Sequence, residues 1–391
     1  MKLALSDEDA KFRDELRTFF TTEIPAEIRD RARNDELIWP DDIVTTMRIL
    51  NKAGLAVPNW PVEWGGKDWS PLQRQLWADE MRLASVPEPL AFNASMVGPV
   101  IAQFGSQEIK ERFLPATANL DIWWCQGFSE PEAGSDLASL RTVAVRDGDD
   151  YVINGQKTWT TLGQFADWIF VLARTNPDAP KKQAGISFIL VEMSTPGITL
   201  RPIKLIDGSY EVNEVFFEDV RVPANQLVGE ENQGWSYAKF LLSNERTGIA
   251  RIGTTKVWLS DVKERAAKTT VGNGTLLEDP LFASRVAEIE NELLALELTQ
   301  LRVSGDEGTG KPNPASSILK LRGSQLQQAV TELLVEVAGP DALPFEAGDG
   351  IDSPQWAQQA APRYLNFRKT SIYGGSNEVQ RTIISSTILG L

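Results

Sequence analysis

Trp123-Trp124-Cys125-Gln126-Gly127-Phe128-Ser129-Glu130-Pro131-Glu132-Ala133-Gly134-Ser135-Asp136, followed by Tyr151-Val152-Ile153-Asn154-Gly155-Gln156-Lys157-Thr158-Trp159-Thr160-Thr161, decides how this chain is read. Aromatic residues lead into a loop of small ones, and the second segment alternates with the two-residue rhythm of a strand. Tyr151, Ile153 and the run Trp168-Ile169-Phe170-Val171-Leu172-Ala173 have the composition of a half-buried sheet. Turn signals at Asp147-Gly148-Asp149 and Asn154-Gly155, and a strand-like run from residue 214 to 223, extend the pattern. Residues 120–226 therefore read as a small antiparallel β domain.

Helices flank it on both sides. Ser6 is placed to cap a helix over 6–21, with Asp9 three residues on and Phe12, Leu16, Phe19 and Phe20 at helical spacing. More helix is expected at 41–53, 71–84 and 107–114, with Trp60-Pro61-Val62-Glu63-Trp64-Gly65-Gly66 as a turn-rich loop. From Gly234 onward the spacing is helical again, interrupted at Val271-Gly272-Asn273-Gly274 and at 305–313. The expected fold is mainly α with a central β domain: a helical unit over 1–119, the β unit over 120–226 and a helical unit over 227–391. No Gly-x-Gly-x-x-Gly follows a strand and no Walker-type loop is present, so neither dinucleotide motif is supported.

Composition narrows the chemistry. The chain has 391 residues, enough for more than one core, and a formal net charge of −15 that argues against nucleic acid or an anionic membrane as main partner. It contains no histidine, which excludes Ser-His-Asp and Cys-His catalysis and His-ligated zinc. Its single cysteine, Cys125, excludes an intrachain disulfide and a cysteine-cluster metal site, fits a reducing cytoplasm, and sits in an apolar context that suits an inert thiol. No metal site, signal peptide or membrane span is expected. Proton chemistry must use carboxylates, Lys, Tyr or a cofactor.

Two groups of residues could carry it. Glu245 shares a helical stripe with Ala238, Leu241, Leu242, Ile249 and Ile252, which makes it a candidate general base. A structural ion pair with Arg246 is the competing account. Ser129, Ser135, Thr160 and Thr161 lie among Gly127 and Gly134, and Trp123, Trp124, Phe128 and Trp159 offer flat rings. Such a set could bed a planar ligand, although taken alone these residues suit an ordinary β-domain core with turn serines better. Trp60 and Trp64 read as packing residues.

At these positions the chain resembles the acyl-CoA dehydrogenase family over nearly its whole length. The similarity is carried by Phe128-Ser129-Glu130-Pro131-Glu132-Ala133-Gly134-Ser135-Asp136, by Asn154-Gly155-Gln156-Lys157-Thr158-Trp159-Thr160-Thr161, by residues 214–223, and by Tyr373-Gly374-Gly375-Ser376-Asn377-Glu378-Val379-Gln380-Arg381. The resemblance implies an α-helical N-terminal domain, a β-barrel middle domain and a C-terminal four-helix bundle. It implies FAD, with Gln126, Phe128, Ser129, Trp159 and Thr161 lining the flavin, and Ser135, Arg246 and Tyr373 on the substrate side. The implied reaction is α,β-dehydrogenation of an acyl-CoA, with electrons passed to an electron-transfer flavoprotein.

Two departures from the family pattern refine this. Many members carry the base where this chain has Gly374; a minority place it on the first long C-terminal helix directly before an Arg, as Glu245-Arg246 does here. Those members handle long, branched or bulky acyl groups. The stretches that usually hold the FAD diphosphate and adenine of a neighbouring subunit become Lys268-Thr269-Thr270-Val271-Gly272-Asn273-Gly274 and Glu336-Val337-Ala338-Gly339-Pro340-Asp341-Ala342. A carboxylate at Glu336 has the wrong sign for phosphate. The chain is thereby similar to the large subunit of bacterial two-subunit enzymes of the pimeloyl-CoA or steroid side-chain type, which implies a second dehydrogenase-like subunit in a heterotetramer; a homo-oligomer is the alternative. A non-catalytic subunit of such an assembly is a further reading. An oxygen-using oxidase is disfavoured, because those chains usually extend beyond 391 residues.

Overall fold

In a computed structural model, residues 5–34, 40–305, 313–343 and 353–391 are described, apart from the side chains of 243–249, 304 and 305. The first helix begins where its cap predicts: Ser6 Oγ accepts from the Asp9 amide at 3.1 Å, and α1 (Asp7–Thr22) buries Leu16 and Phe20. It is followed by α2 (Ala26–Arg33), α3 (Pro40–Lys52), α4 (Pro71–Leu83), α5 (Gly98–Phe104) and α6 (Gln107–Ala118). The loop at 60–66 holds one 3-10 turn, Val62–Trp64, and reverses at Gly65 with φ +98°. Trp60 packs as expected, its indole N–H donating to the Ala94 carbonyl at 2.7 Å.

The middle of the chain forms one seven-stranded sheet: β1 (Trp124–Gly127), β2 (Val143–Asp147), β3 (Asp150–Thr161), β4 (Trp168–Arg174), β5 (Ile186–Glu192), β6 (Ile198–Ile203) and β7 (Val212–Pro223). It differs from the sequence expectation in three ways. The sheet is mixed, because β1 runs parallel to β4 with Trp124 opposite Trp168. The connection between these parallel neighbours, residues 128–167, is long and carries β2 and β3.

Second, β4 and β5 are buried on both faces. Trp168, Phe170, Leu172, Phe188 and Leu190 join the core of the N-terminal helices. Ile169, Val171, Ala173, Ile189 and Val191 join a second core with Tyr151, Ile153, Val215 and Phe217 inside the half-barrel. Strands covered on both sides become continuous apolar runs, which is what Trp168–Arg174 is.

Third, Asn154-Gly155 is not a turn. β3 passes straight through it, and a Cβ on Gly155 would stand 2.5 Å from Thr142 Oγ1. Asn154 instead serves a bulge in the facing strand, donating to Asp219 Oδ1 at 3.0 Å and accepting the Asp219 amide at 2.9 Å.

The C-terminal part contains α7 (Gly234–Ile249), α8 (Ile252–Ala266), a small hairpin of β8 (Thr270–Val271) and β9 (Gly274–Thr275), α9 (Pro280–Gly305), α10 (Ser316–Ala338), α11 (Gln355–Gln358), α12 (Ala360–Asn366) and α13 (Asn377–Ile384). Trp258, Val262, Phe282, Leu319, Val330 and Leu333 form the bundle core. The helix α7 leads from one core to the other. Tyr237, Ala238 and Leu241 pack with the N-terminal helices, whereas Ala250, just past its end, packs in the bundle and touches the close approach of Gly323. Of the expected interruptions, 271–274 is the β8–β9 hairpin, and 306–312 lie outside the described residues. No helix among the described residues is long and apolar enough to cross a membrane.

Candidate active site

The site begins with an irregularity in β3. Lys157 pairs with Val215 and Thr160 with Asn213, so three steps on β3 face two on β7. The extra residue is accommodated at Trp159, whose φ is +60°. A left-handed non-glycine residue costs roughly 1–2 kcal/mol. The bulge also reverses the phase of the strand. Lys157 is buried before it and Thr160 after it, while Trp159 stands 58% exposed and Thr161 sits beside it on the outward phase. Asn213 secures the distortion, its Nδ2 donating to the Thr160 carbonyl at 3.0 Å and to Gln164 at 2.7 Å.

Strand β1 meets this bulge through one backbone bond, from the Thr158 amide to the Ser129 carbonyl at 2.9 Å. Gln126, Ser129, Trp159 and Thr161 are thereby brought to one region of the sheet. Among the described residues their side chains have no hydrogen-bond partner. The buried Thr160 hydroxyl is also unpaired. Of the four rings named from the sequence, only Trp159 presents a face. Trp124 is wholly buried against Phe113 and Trp168, and Trp123 is buried beside Phe165. The Phe128 ring stands edge-on to Phe170 and Phe188 in the core, which leaves its main chain to face a ligand. Cys125 is fully buried, and burial pushes its thiol well above the usual range.

Behind the bed lies an ion pair that sequence reading assigned no role. Lys157 is 0% exposed and donates to Glu130 at 2.8 Å and to the Phe128 carbonyl at 3.1 Å. Burial pushes the Lys157 ammonium down to about 8, against the pull of Glu130. Burial works against the charged form of Glu130 too, yet Lys157, Thr142 and the Arg141 amide hold its carboxyl below the usual range. Period-two alternation could have signalled this, since Lys157 is in phase with Tyr151 and Ile153.

The remaining expected residues lie on other segments of the chain. Ser135 is exposed on the 128–142 connection. Tyr373 follows a segment tied to the end of β3: Lys369 pairs with Glu211, and the Glu211 carbonyl accepts the Leu162 amide at 2.7 Å. Gly374 has φ +62° and no side chain to act as a base. Glu245 and Arg246 lie on α7, but their side chains fall outside the described residues.

The bed fits a flat heteroaromatic group: one open ring, unused hydroxyl and amide groups, and close backbone. In the region expected to hold a dinucleotide's far half, the charges near phosphate are already paired. Lys268 is already paired with Glu264 at 2.8 Å, and Glu336 with Arg285. The Thr269 hydroxyl donates to the Arg265 carbonyl at 3.1 Å.

Comparison with known proteins gives the family. Family descriptions for the acyl-CoA dehydrogenase N-terminal, middle and C-terminal domains match residues 6–121, 125–220 and 232–389. The chain is 38% identical over 347 residues to acyl-CoA dehydrogenase IpdE1 of Mycobacterium tuberculosis, covering 88% of this chain and 86% of that protein. Its fold is similar to the ChsE4-ChsE5 complex from Mycobacterium tuberculosis, with TM-score 0.84, 32% identity, and 100% and 99% of the two chains covered. It is also similar to the Tcur3481-Tcur3483 steroid ACAD, with TM-score 0.87, 30% identity and the same coverage. Three consecutive domains in the family order, and a relative this similar over most of both chains, place the protein in the acyl-CoA dehydrogenase family of FAD-dependent oxidoreductases.

Proposed function

We propose that this chain is the catalytic subunit of a two-subunit acyl-CoA dehydrogenase that oxidises a long, branched or steroid-like acyl thioester. The observation that carries the reading is the contrast between an open flavin bed at Trp159 and a far side whose charges are already neutralised within the chain. A second dehydrogenase-like subunit would supply the diphosphate and adenine contacts. The similar ChsE4-ChsE5 structure is a complex, and the Tcur3481-Tcur3483 protein is a steroid ACAD, which supports both the partner and the substrate class.

FAD, when bound, supplies the hydride acceptor for the β-carbon. The protein's residues prepare the substrate for that transfer. Gln126, Ser129 and Thr161 would hold the ring system by their unused polar groups, and Trp159 would shield it from water. Ser135 orients the thioester and pantetheine from the loop. Hydrogen bonds at the thioester carbonyl stabilise the charge that develops as the α-proton leaves. Glu245 takes that proton, with Arg246 and Tyr373 flanking the acyl group. An electron-transfer flavoprotein is the proposed electron acceptor.

Anaerobic flavin bleaching tests the reading, screened over straight, branched, dicarboxylic and steroid acyl-CoAs. The bulky classes should bleach fastest, and Glu245→Gln should slow bleaching by about a thousandfold with FAD content retained. Reduction of that variant at the wild-type rate would remove Glu245 from its role.

A further inference from the structure

The buried Lys157–Glu130 pair joins three segments of the site. Lys157 ties β3 to the end of β1 through the Phe128 carbonyl at 3.1 Å and to Glu130 at 2.8 Å. Glu130 Oε2 accepts the Arg141 amide at 2.5 Å, and Oε1 accepts the Thr142 amide at 2.9 Å. One carboxylate thus binds the far end of the loop that carries Ser135. At its near end Glu130 and Ala133 exchange backbone hydrogen bonds of 3.1 and 3.0 Å. The residue after Lys157, Thr158, donates to Ser129 and opens the bulge that presents Trp159.

A buried ion pair adds little stability beyond what a hydrocarbon of similar volume would give, because both charges must be desolvated. It does impose direction: Glu130 Oε1 accepts from both the Lys157 ammonium and the Thr142 amide, Oε2 accepts from the Arg141 amide, and the ammonium also donates to the Phe128 carbonyl. A Met at 157 would fill the same space, yet it would fix none of the three segments.

We infer that Lys157 and Glu130 are positioning residues, whose ion pair sets the spacing of the Ser129 edge, the Ser135 loop and the Trp159 bulge around the bound flavin and thioester. Neither touches the ligand. This rests on the flavin-bed reading above.

The test uses Lys157→Met and Glu130→Gln in the FAD-loaded protein, together with any subunit that copurifies. Amide exchange at Arg141, Thr142 and Thr158 should accelerate, and the FAD dissociation constant and the KM for acyl-CoA should both rise by about tenfold or more. The double variant should be no weaker than Lys157→Met, because one unit has been broken once. Leu333→Ala in the bundle core, matched in loss of thermal stability, should change neither constant. If Lys157→Met behaves like Leu333→Ala, with a lower Tm and wild-type FAD affinity, the inference is wrong. Should Lys157→Met fail to fold, Glu130→Gln carries the same comparison. It keeps one acceptor oxygen for the amides, turns the other into a donor, and removes the charge. Absence of FAD from the wild-type chain assembled with its partner subunit would overturn the flavin reading, whereas bound FAD with unchanged affinity in the variants would overturn only the clamp.

Discussion

The two regions expected to face flavin cofactors, one the chain's own and the other a neighbouring subunit's, are built on opposite electrostatic terms. At the flavin bed, the charges are buried behind the surface in the Lys157–Glu130 pair, and the groups at the surface are neutral and unused. Around α8 and α10, the charges are on the surface and already satisfied: Lys268 with Glu264, and Arg285 with Glu336, each roughly half exposed or more. A ligand arriving at the bed displaces only water. A diphosphate arriving at the far side would meet two carboxylates and compete with ion pairs worth only about 0–1 kcal/mol each. The contrast between the two regions lies in those carboxylates, which repel phosphate, more than in the pairing of the cations.

Substitution at Trp159 should break the comparison most visibly. Its indole is largely solvent-exposed and its backbone is left-handed, so Trp159→Gly loses little packing and relieves strain. We expect the thermal stability of the apoprotein to hold or rise, while FAD affinity falls about tenfold, the order of one aromatic contact. Calorimetry and flavin-quenching titration on the same samples measure the two together. A parallel fall in both would mean that Trp159 is a packing residue.

A smaller effect separates buried from exposed charge. The Glu130 carboxyl is held low in the native state, so the unfolded chain binds more protons as pH falls. Its stabilising contribution is therefore complete above the ordinary carboxylate value and is lost as pH drops through the lower native one. Melting temperature plotted against falling pH should decline less steeply in Glu130→Gln than in wild type. The same plot for Glu336→Gln should follow wild type, because an exposed pair contributes only about 0–1 kcal/mol.

Most of the architecture was legible because its signals are local. Ser6 and the apolar spacing of α1 mark a helix, and the strand content of 120–226 marks a sheet between helices. What escaped notice depended on residues far apart in sequence. Asn154-Gly155 has turn composition, but Thr142 and Asp219 decide that it lies within a strand. Trp124, Phe128 and Trp159 are indistinguishable as aromatics, and only the register against β7 sends Trp159 outward while the other two enter the core. Lys157 and Glu130 were visible as motif letters, yet their pairing spans 27 residues and needs the β1–β3 contact to exist. The candidate base on α7 is the reverse case: it was named from sequence pattern, and its side chain lies outside the described residues.

The central claim is that this chain carries the flavin face of a site completed by another subunit. Its most direct test is the flavin content and mass of the purified chain, measured together by size-exclusion chromatography with light scattering and flavin absorbance. The chain alone should hold well under one FAD per subunit, whether or not Glu336 is changed to Gln, and should reach one FAD per heterodimer only with its partner. One FAD per subunit in a catalytically active homo-oligomer of this chain would contradict the account.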